Sequence, residues 1–93
     1  MRTTSRTSRF KRDYKRVRAG KYGRDLDQML PEVLAMLLAD QVLPLRYRDH
    51  SLTGEYKDCR ECHLKPDLLL IYRSAGDNIL ELTRLGSHSE LFD

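Results

Sequence analysis

The residues of this 93-residue chain best equipped to move protons near neutral pH are His50, His63 and His88, with Asp67 shortly after the second and Arg84 shortly before the third. An unperturbed imidazole titrates at about 6.5, so each can act as acid or base in water. Three imidazoles around one cleft suit the attack of a ribose 2′-hydroxyl on its own neighbouring phosphate. That reaction needs a base for the hydroxyl, an acid for the departing 5′-oxygen and positive charge for the phosphorane. Arg84 can supply the charge unless a salt bridge to Glu61 or Glu81 holds it. The chemistry requires no metal. A zinc site built from Cys59, Cys62 and a histidine is the alternative, but a single C-x-x-C lacks the second ligand pair that structural zinc sites use. Two reduced thiols are the plainer reading, because residues three apart on a strand point to opposite faces and bridge poorly.

The elements that must bring these groups together can be read in chain order. Thr3, Thr4 and Ser5 fit a short edge strand. Thr7 or Ser8 caps a helix carrying Phe10, Tyr14 and Val17 on one side, ended by Gly20 and Gly23. A second helix, capped by Asp25 or Asp27, presents Leu30, Val33, Leu34, Leu37 and Leu38 as a core stripe and ends near Asp40 or Gln41. With Asp27 as the cap, Pro31 falls at the edge of the first turn, where few amides have intrahelical partners. Residues 45–54 read as a polar loop. A strand over 56–64 places Cys59, Glu61 and His63 on one face and Arg60, Cys62 and Leu64 on the other. Lys65, Pro66 and Asp67 turn the chain into a buried strand over 68–72, and 75–78 form a hairpin turn into a third strand over 79–85. Ser87 to Glu90 resembles a capping box opening one helical turn that ends at Leu91 and Phe92. The sum is an α+β fold, two N-terminal helices packed on a small antiparallel sheet, in one domain over residues 1–93. Hairpin geometry then brings all three histidines to one edge.

Bulk properties restrict the partners. At 40% hydrophobic and 33% charged the chain is rich in charge yet apolar enough to fold. Its longest apolar run, Val33 to Ala39, falls far short of the roughly 20 residues that cross a bilayer. The basic N-terminus has no apolar segment behind it, so the cytoplasm is the expected compartment. Residues 1–24 hold ten of the seventeen Lys and Arg residues and a single acid, Asp13, giving that segment +9 and the remainder −6. Such a concentration favours a polyanion, nucleic acid above all, with Arg9, Lys11, Arg12, Lys15, Arg16 and Arg18 as its contacts. A solvated helix face or a dock for an acidic protein would carry the same charge.

Tyr47-Arg-Asp-His50, Leu52-Thr-Gly54, Arg60-Glu-Cys-His63, Pro66-Asp67, Leu70-Ile-Tyr72 and Arg84-Leu-Gly-Ser-His88, ending in Leu91-Phe92, together resemble the YafQ-type toxins of the RelE/ParE superfamily. The likeness runs from about Phe10 to Phe92 through widely separated segments. It implies the microbial RNase fold and a ribosome-dependent endoribonuclease that cuts messages in the A site. It also implies a cognate antitoxin as the partner, one that inhibits the toxin and supplies the contact with DNA, which this chain makes only indirectly. By motif position the resemblance assigns His50, His63, Asp67, His88 and Phe92 to the cleft. His50 would be the base, His88 with Asp67 would serve the leaving group, His63 would orient the phosphate or ribose, and Phe92 would stack on or position a base. Leu68 stands where the family commonly has tryptophan, and Cys59 where an aromatic is usual, which removes stacking surface expected in the cleft.

Two other readings share parts of this pattern. A ParE-like toxin that poisons gyrase has the fold and the antitoxin but no need of three histidines. A non-catalytic, basic nucleic-acid-binding module would carry the helix charge with the histidines as ordinary surface residues.

Overall fold

A computed structural model describes residues 2–92. The central strand is the one whose sequence is apolar on both faces. Leu68, Leu70 and Tyr72 join the core beneath the helices, while Leu69 and Ile71 join a second, smaller cluster with Tyr56, Cys59 and Leu91. Burial on both sides explains why this run does not alternate.

Five strands form the sheet: β1 (Thr3–Arg6), β2 (His50–Ser51), β3 (Arg60–Lys65), β4 (Leu68–Ser74) and β5 (Ile79–Gly86), in the order β1-β5-β4-β3-β2. The antiparallel ladder expected from the sequence covers β3 to β5 and β2 extends it, but β1 pairs parallel to β5, so the sheet is mixed. Helices α1 (Ser8–Arg18) and α2 (Gly23–Leu38) cover one face, and α3 (His88–Phe92) lies against the other cluster through Leu91. No described helix is long and apolar enough to cross a membrane.

Thr7 caps α1 by accepting from the Phe10 amide at 3.0 Å, as its side chain predicts. The start of α2 differs from expectation. It begins at Gly23 without a side-chain cap, and Asp27 instead pairs with Arg18 at 2.9 Å. The Gly23 amide donates to the Gly20 carbonyl, and a Cβ at Gly23 would run into the Arg18 carbonyl, so the close approach of the two helices needs glycine there. Pro31 consequently lies inside α2 rather than in its first turn, on the exposed side of the helix. Leu26, Leu30, Val33 and Leu37 form its buried stripe, with Met36 packed against the core.

A register shift between β4 and β5 pairs Ile71 with Arg84 but Tyr72 with Leu82, leaving Thr83 as the extra residue. The bulge lets Leu82 and Leu85, three apart, both enter the helix-side core and turns Arg84 to the opposite face. Pairing of β1 ends at Arg6 and Leu82, and side chains of α1 continue along the β5 edge. Thr7 Oγ1 donates to the Thr83 carbonyl at 2.8 Å, Arg16 donates to the Leu85 carbonyl at 3.0 Å, and the Leu85 amide donates to Asp13 Oδ2 at 3.0 Å. A helix thus satisfies the edge groups that a further strand would take.

Candidate active site

The stretch expected to be a polar loop contains the element that places His50. Two short 3₁₀ turns, Leu45–Tyr47 and Gly54–Tyr56, flank β2, and the ladder sets His50 opposite Glu61. Glu61 and His63 are two apart on β3 and share a face, as strand alternation requires. Across the sheet the register runs His50, Glu61, Ile71, Arg84, so one lateral row on the face away from α1 and α2 carries a histidine, a carboxylate and a guanidinium.

Glu61 joins the two histidines. Its Oε2 lies 3.2 Å from His50 Nε2 and 3.5 Å from His63 Nε2, and the two rings are 6.2 Å apart between centroids. Each ring is held from its other nitrogen: His50 Nδ1 is 2.7 Å from the Arg48 carbonyl, and His63 Nδ1 is 3.3 Å from the Pro66 carbonyl. A carbonyl can only accept, so both Nδ1 atoms carry hydrogen and both Nε2 atoms face Glu61. Arg48 has the left-handed φ of 51° that turns its carbonyl towards the ring. Tyr72 and Arg60 both donate to Asp49, the residue before His50, and fix the loop from beneath. Burial and then the Asp49 hydrogen bond raise the Tyr72 hydroxyl pKa, which keeps it a donor.

Glu61 is only 4% exposed, and among the described residues its Oε1 has no hydrogen-bond partner. Strand alternation alone puts Glu61 beside His63 but gives it no role beyond a salt bridge to Arg84. The signal for a larger role was its spacing of two from His63. The donors of His50, Glu61 and His63 lie within 4.8 Å of one another, and two imidazoles with a carboxylate suit a transition-metal ion. The orphaned buried Oε1 fits such a group as well. Bound there, a divalent ion would supply positive charge to a phosphate oxygen. Cys59 and Cys62 take no part in this cluster. Both are buried, and burial raises both thiols, Cys62 to about 12, so neither is a ready thiolate at neutral pH.

Asp67 and His88 meet differently from His50 and His63. The Asp67 carboxylate accepts from the backbone amide of His88 at 2.9 Å, which fixes the start of α3 rather than the imidazole. Ser87 and Glu90 form the anticipated capping box, with the Ser87 amide on Glu90 Oε1 at 2.8 Å and the Glu90 amide on Ser87 Oγ at 3.2 Å. The turn holding Pro66 and Asp67 therefore anchors both His63 and His88. Phe92 is 38% exposed, its centroid 5.0 Å from the His88 ring and 5.8 Å edge-on from Tyr56. Tyr56, which the sequence did not single out, supplies the second aromatic of the site. Leu68 is 1% exposed within the helix-side core, so that position carries no stacking surface for the cleft.

Arg84 is bound by neither Glu61 nor Glu81. Its Nε lies 2.7 Å and its Nη2 3.2 Å from Asp13, and its Nη1 reaches the Tyr56 hydroxyl at 3.4 Å. Glu81 pairs instead with Arg73. The hydrogen bond to Asp13 raises the Arg84 pKa, which keeps the guanidinium charged. Of the six cations expected to contact a polyanion, Arg16 is turned inward onto Asp13, Glu90 and Leu85, and Arg18 forms a surface pair with Asp27. Arg9, Lys11, Arg12 and Lys15 are exposed and make no ion pair among the described residues. Arg9 lines a groove with Gly54, Tyr56 and Lys57, so the basic helix borders the side of the molecule that carries Tyr56. A second groove of about 460 Å³ runs past Lys21, Tyr22, Asp67 and Ser87 on the other rim.

Residues 2–93 match a family described as the bacterial toxin of a type II toxin-antitoxin system, YafQ. Among curated proteins, the mRNA interferase toxin YafQ of Escherichia coli K12 is 38% identical over 76 residues, 80% of this chain and 79% of that one. A crystal structure of a metal-bound toxin from Helicobacter pylori superposes with a TM-score of 0.87 at 46% identity, covering 99% of this chain and all of that one. The E. coli toxin in the DinJ-YafQ complex superposes at 0.82 with 29% identity over the whole of both chains. The fold is that of small α+β bacterial toxins. The chain belongs to the YafQ family of type II toxins.

Proposed function

We propose that this toxin inhibits translation by cutting mRNA in the ribosomal A site, through attack of a ribose 2′-hydroxyl on the adjacent phosphate. The observation that carries the reading is the row of His50, Glu61 and Arg84 across one sheet face, with His63 joined to Glu61. His50 Nε2 takes the hydroxyl proton, and Glu61 is the counter-ion of the imidazolium that forms. Arg84 faces the charge of the phosphorane, and His63 orients the phosphate or ribose. The P–O5′ bond breaks as P–O2′ forms, and His88, held by Asp67, protonates the leaving 5′-oxygen. The products are a 2′,3′-cyclic phosphate and a 5′-hydroxyl. Phe92, with Tyr56 against it, stacks on a base. The site is an open face, with the His50 side chain 49% exposed, which suits a strand presented by another body. The exposed cations of α1 supply the contact with ribosomal RNA.

Mapping message ends after adding the purified toxin to translating ribosomes tests the reading. Cuts within codons, absent from ribosome-free message, are the expected result. Inhibition of gyrase without cuts would transfer the chain to the ParE-like class, and RNA binding with neither activity would make it a binding module. The E. coli DinJ-YafQ complex supports a cognate antitoxin as the partner; in this reading it is a small acidic protein that inhibits the toxin in the cytoplasm and makes its DNA contacts for it.

The reaction has no need of a metal. With magnesium kept present for the ribosome, cleavage is expected to persist in excess of a chelator selective for transition metals and to be inhibited by micromolar copper or zinc, because an ion on His50, Glu61 and His63 would occupy the nitrogens that exchange protons. Abolition by that chelator with recovery on adding a transition metal, at constant magnesium, would overturn the metal-independent reading.

A further inference from the structure

Asp13 is the one acid in the basic first segment, and it lies on the buried side of α1 between Phe10 and Val17. Only 3% exposed, it accepts from Arg84 Nε and Nη2, from Arg16 Nη1 at 2.8 Å and from the Leu85 amide. Burial alone would raise its pKa, and the hydrogen bonds from Arg84, Leu85 and Arg16 outweigh that and hold it below its ordinary value. The carboxylate thus takes one side of the Arg84 guanidinium and leaves Nη1 directed at Tyr56, beside Phe92 and the open face.

We propose that Asp13 is a positioning residue for the ribonuclease reaction, aiming the Arg84 guanidinium at the transferred phosphate and, through Tyr56, setting Phe92. The inference rests on the ribonuclease reading. A side chain anchored at Nε and Nη2 has lost its rotational freedom before substrate arrives, and a donor fixed in advance needs no reorganisation as charge develops. Three further features favour positioning over a purely structural pair. Asp13 reads the β5 edge amide and the guanidinium at once, which ties the angle of Arg84 to the strand that carries it. The Thr83 bulge turns Arg84 onto the catalytic face, away from the face that α1 covers. Arg16 shares the same carboxylate, so Asp13 is not spent on Arg84 alone, and the Nη1 side of the Arg84 guanidinium stays directed at Tyr56 and the open face.

A double-mutant cycle on the full-length toxin with ribosome-bound message tests this. Asp13→Asn is expected to lower the single-turnover cleavage rate by about 10–100-fold while leaving ribosome affinity unchanged, as displacement of a positioned group does. Arg84→Lys is expected to cause a loss at least as large, and Asp13→Asn added to Arg84→Lys to cause little more, because Asp13 acts through Arg84. Multiplicative losses in the double variant, or an unchanged rate in folded Asp13→Asn, would overturn the proposal. Should Asp13→Asn fail to fold, Asp13→Glu keeps the charge and shifts the guanidinium by one methylene, and the same cycle is read on it with the same outcomes. Absence of any cleavage by the unaltered toxin would refute the ribonuclease reading itself, whereas an additive cycle in an active toxin would refute the role of Asp13 alone.

Discussion

Glu61→Gln is expected to lower the single-turnover rate of message cleavage by about 10²–10⁴-fold, with ribosome binding unchanged and the thermal midpoint no lower. The rate falls because one carboxylate oxygen faces the Nε2 atoms of both His50 and His63, so the amide removes the shared counter-ion of the imidazolium. Its stability follows from the same geometry with the opposite sign. A carboxylate 4% exposed, with one oxygen unpartnered among the described residues, costs the fold desolvation energy that its two imidazole contacts only partly offset. Removing the charge relieves that cost, as expected where a site is kept at the expense of stability. Cleavage assays on ribosomes and thermal unfolding measured on the same preparation decide the matter. A wild-type rate would move proton transfer away from this cluster, and a large fall in midpoint would make Glu61 a structural residue.

Charge removal on α1 is expected to divide its four cations unpaired among the described residues from Arg16. Replacing Arg9, Lys11, Arg12 and Lys15 with Gln weakens ribosome association and lowers the slope of log affinity against log salt by about 3, since each phosphate left without its cation takes roughly 0.7–0.9 from that slope. The fold tolerates these changes because the four side chains are exposed, and spreading fewer like charges along one helix reduces repulsion. Arg16→Gln behaves otherwise. It removes partners from buried Asp13, from Glu90 and from the Leu85 carbonyl, so it lowers the thermal midpoint and leaves the salt slope nearly unchanged. Co-sedimentation with ribosomes across a salt series, beside unfolding curves, separates the two. An unchanged slope in the four-residue variant would remove α1 from the ribosome contact.

Much of this molecule is legible in its sequence because the relevant forces are local or periodic. The α1 stripe of Phe10, Tyr14 and Val17, the strand over 68–72 buried on both faces, the Ser87–Glu90 capping box and the shared face of Glu61 and His63 all follow from helix or strand repeats. The spaced motifs from His50 to Phe92 placed the chain in its family, which the match over residues 2–93 bears out. Where local rules competed, the sequence misled. Two aspartates offered themselves as caps for α2, but the glycine turn let the helix begin earlier, and Asp27 took Arg18 instead.

Partner choice among charges was decided only in three dimensions. The sequence has fourteen acids and seventeen Lys and Arg residues, and nothing local says that Arg84 belongs to Asp13, 71 positions away, rather than to Glu61 or Glu81 nearby. The bulge at Thr83 and the end of β1 at Arg6 make that pairing, by exposing a β5 edge that α1 must satisfy. Likewise His50 meets Glu61 because two residues of an apparent loop join the sheet as β2. The sequence by itself determined which groups could move protons and which repeats would bury apolar surface. The tertiary structure decided which carboxylate each cation and each histidine meets, because hydrogen-bond partners are set by strand register and edge pairing, and neither is encoded in the spacing of residues along the chain.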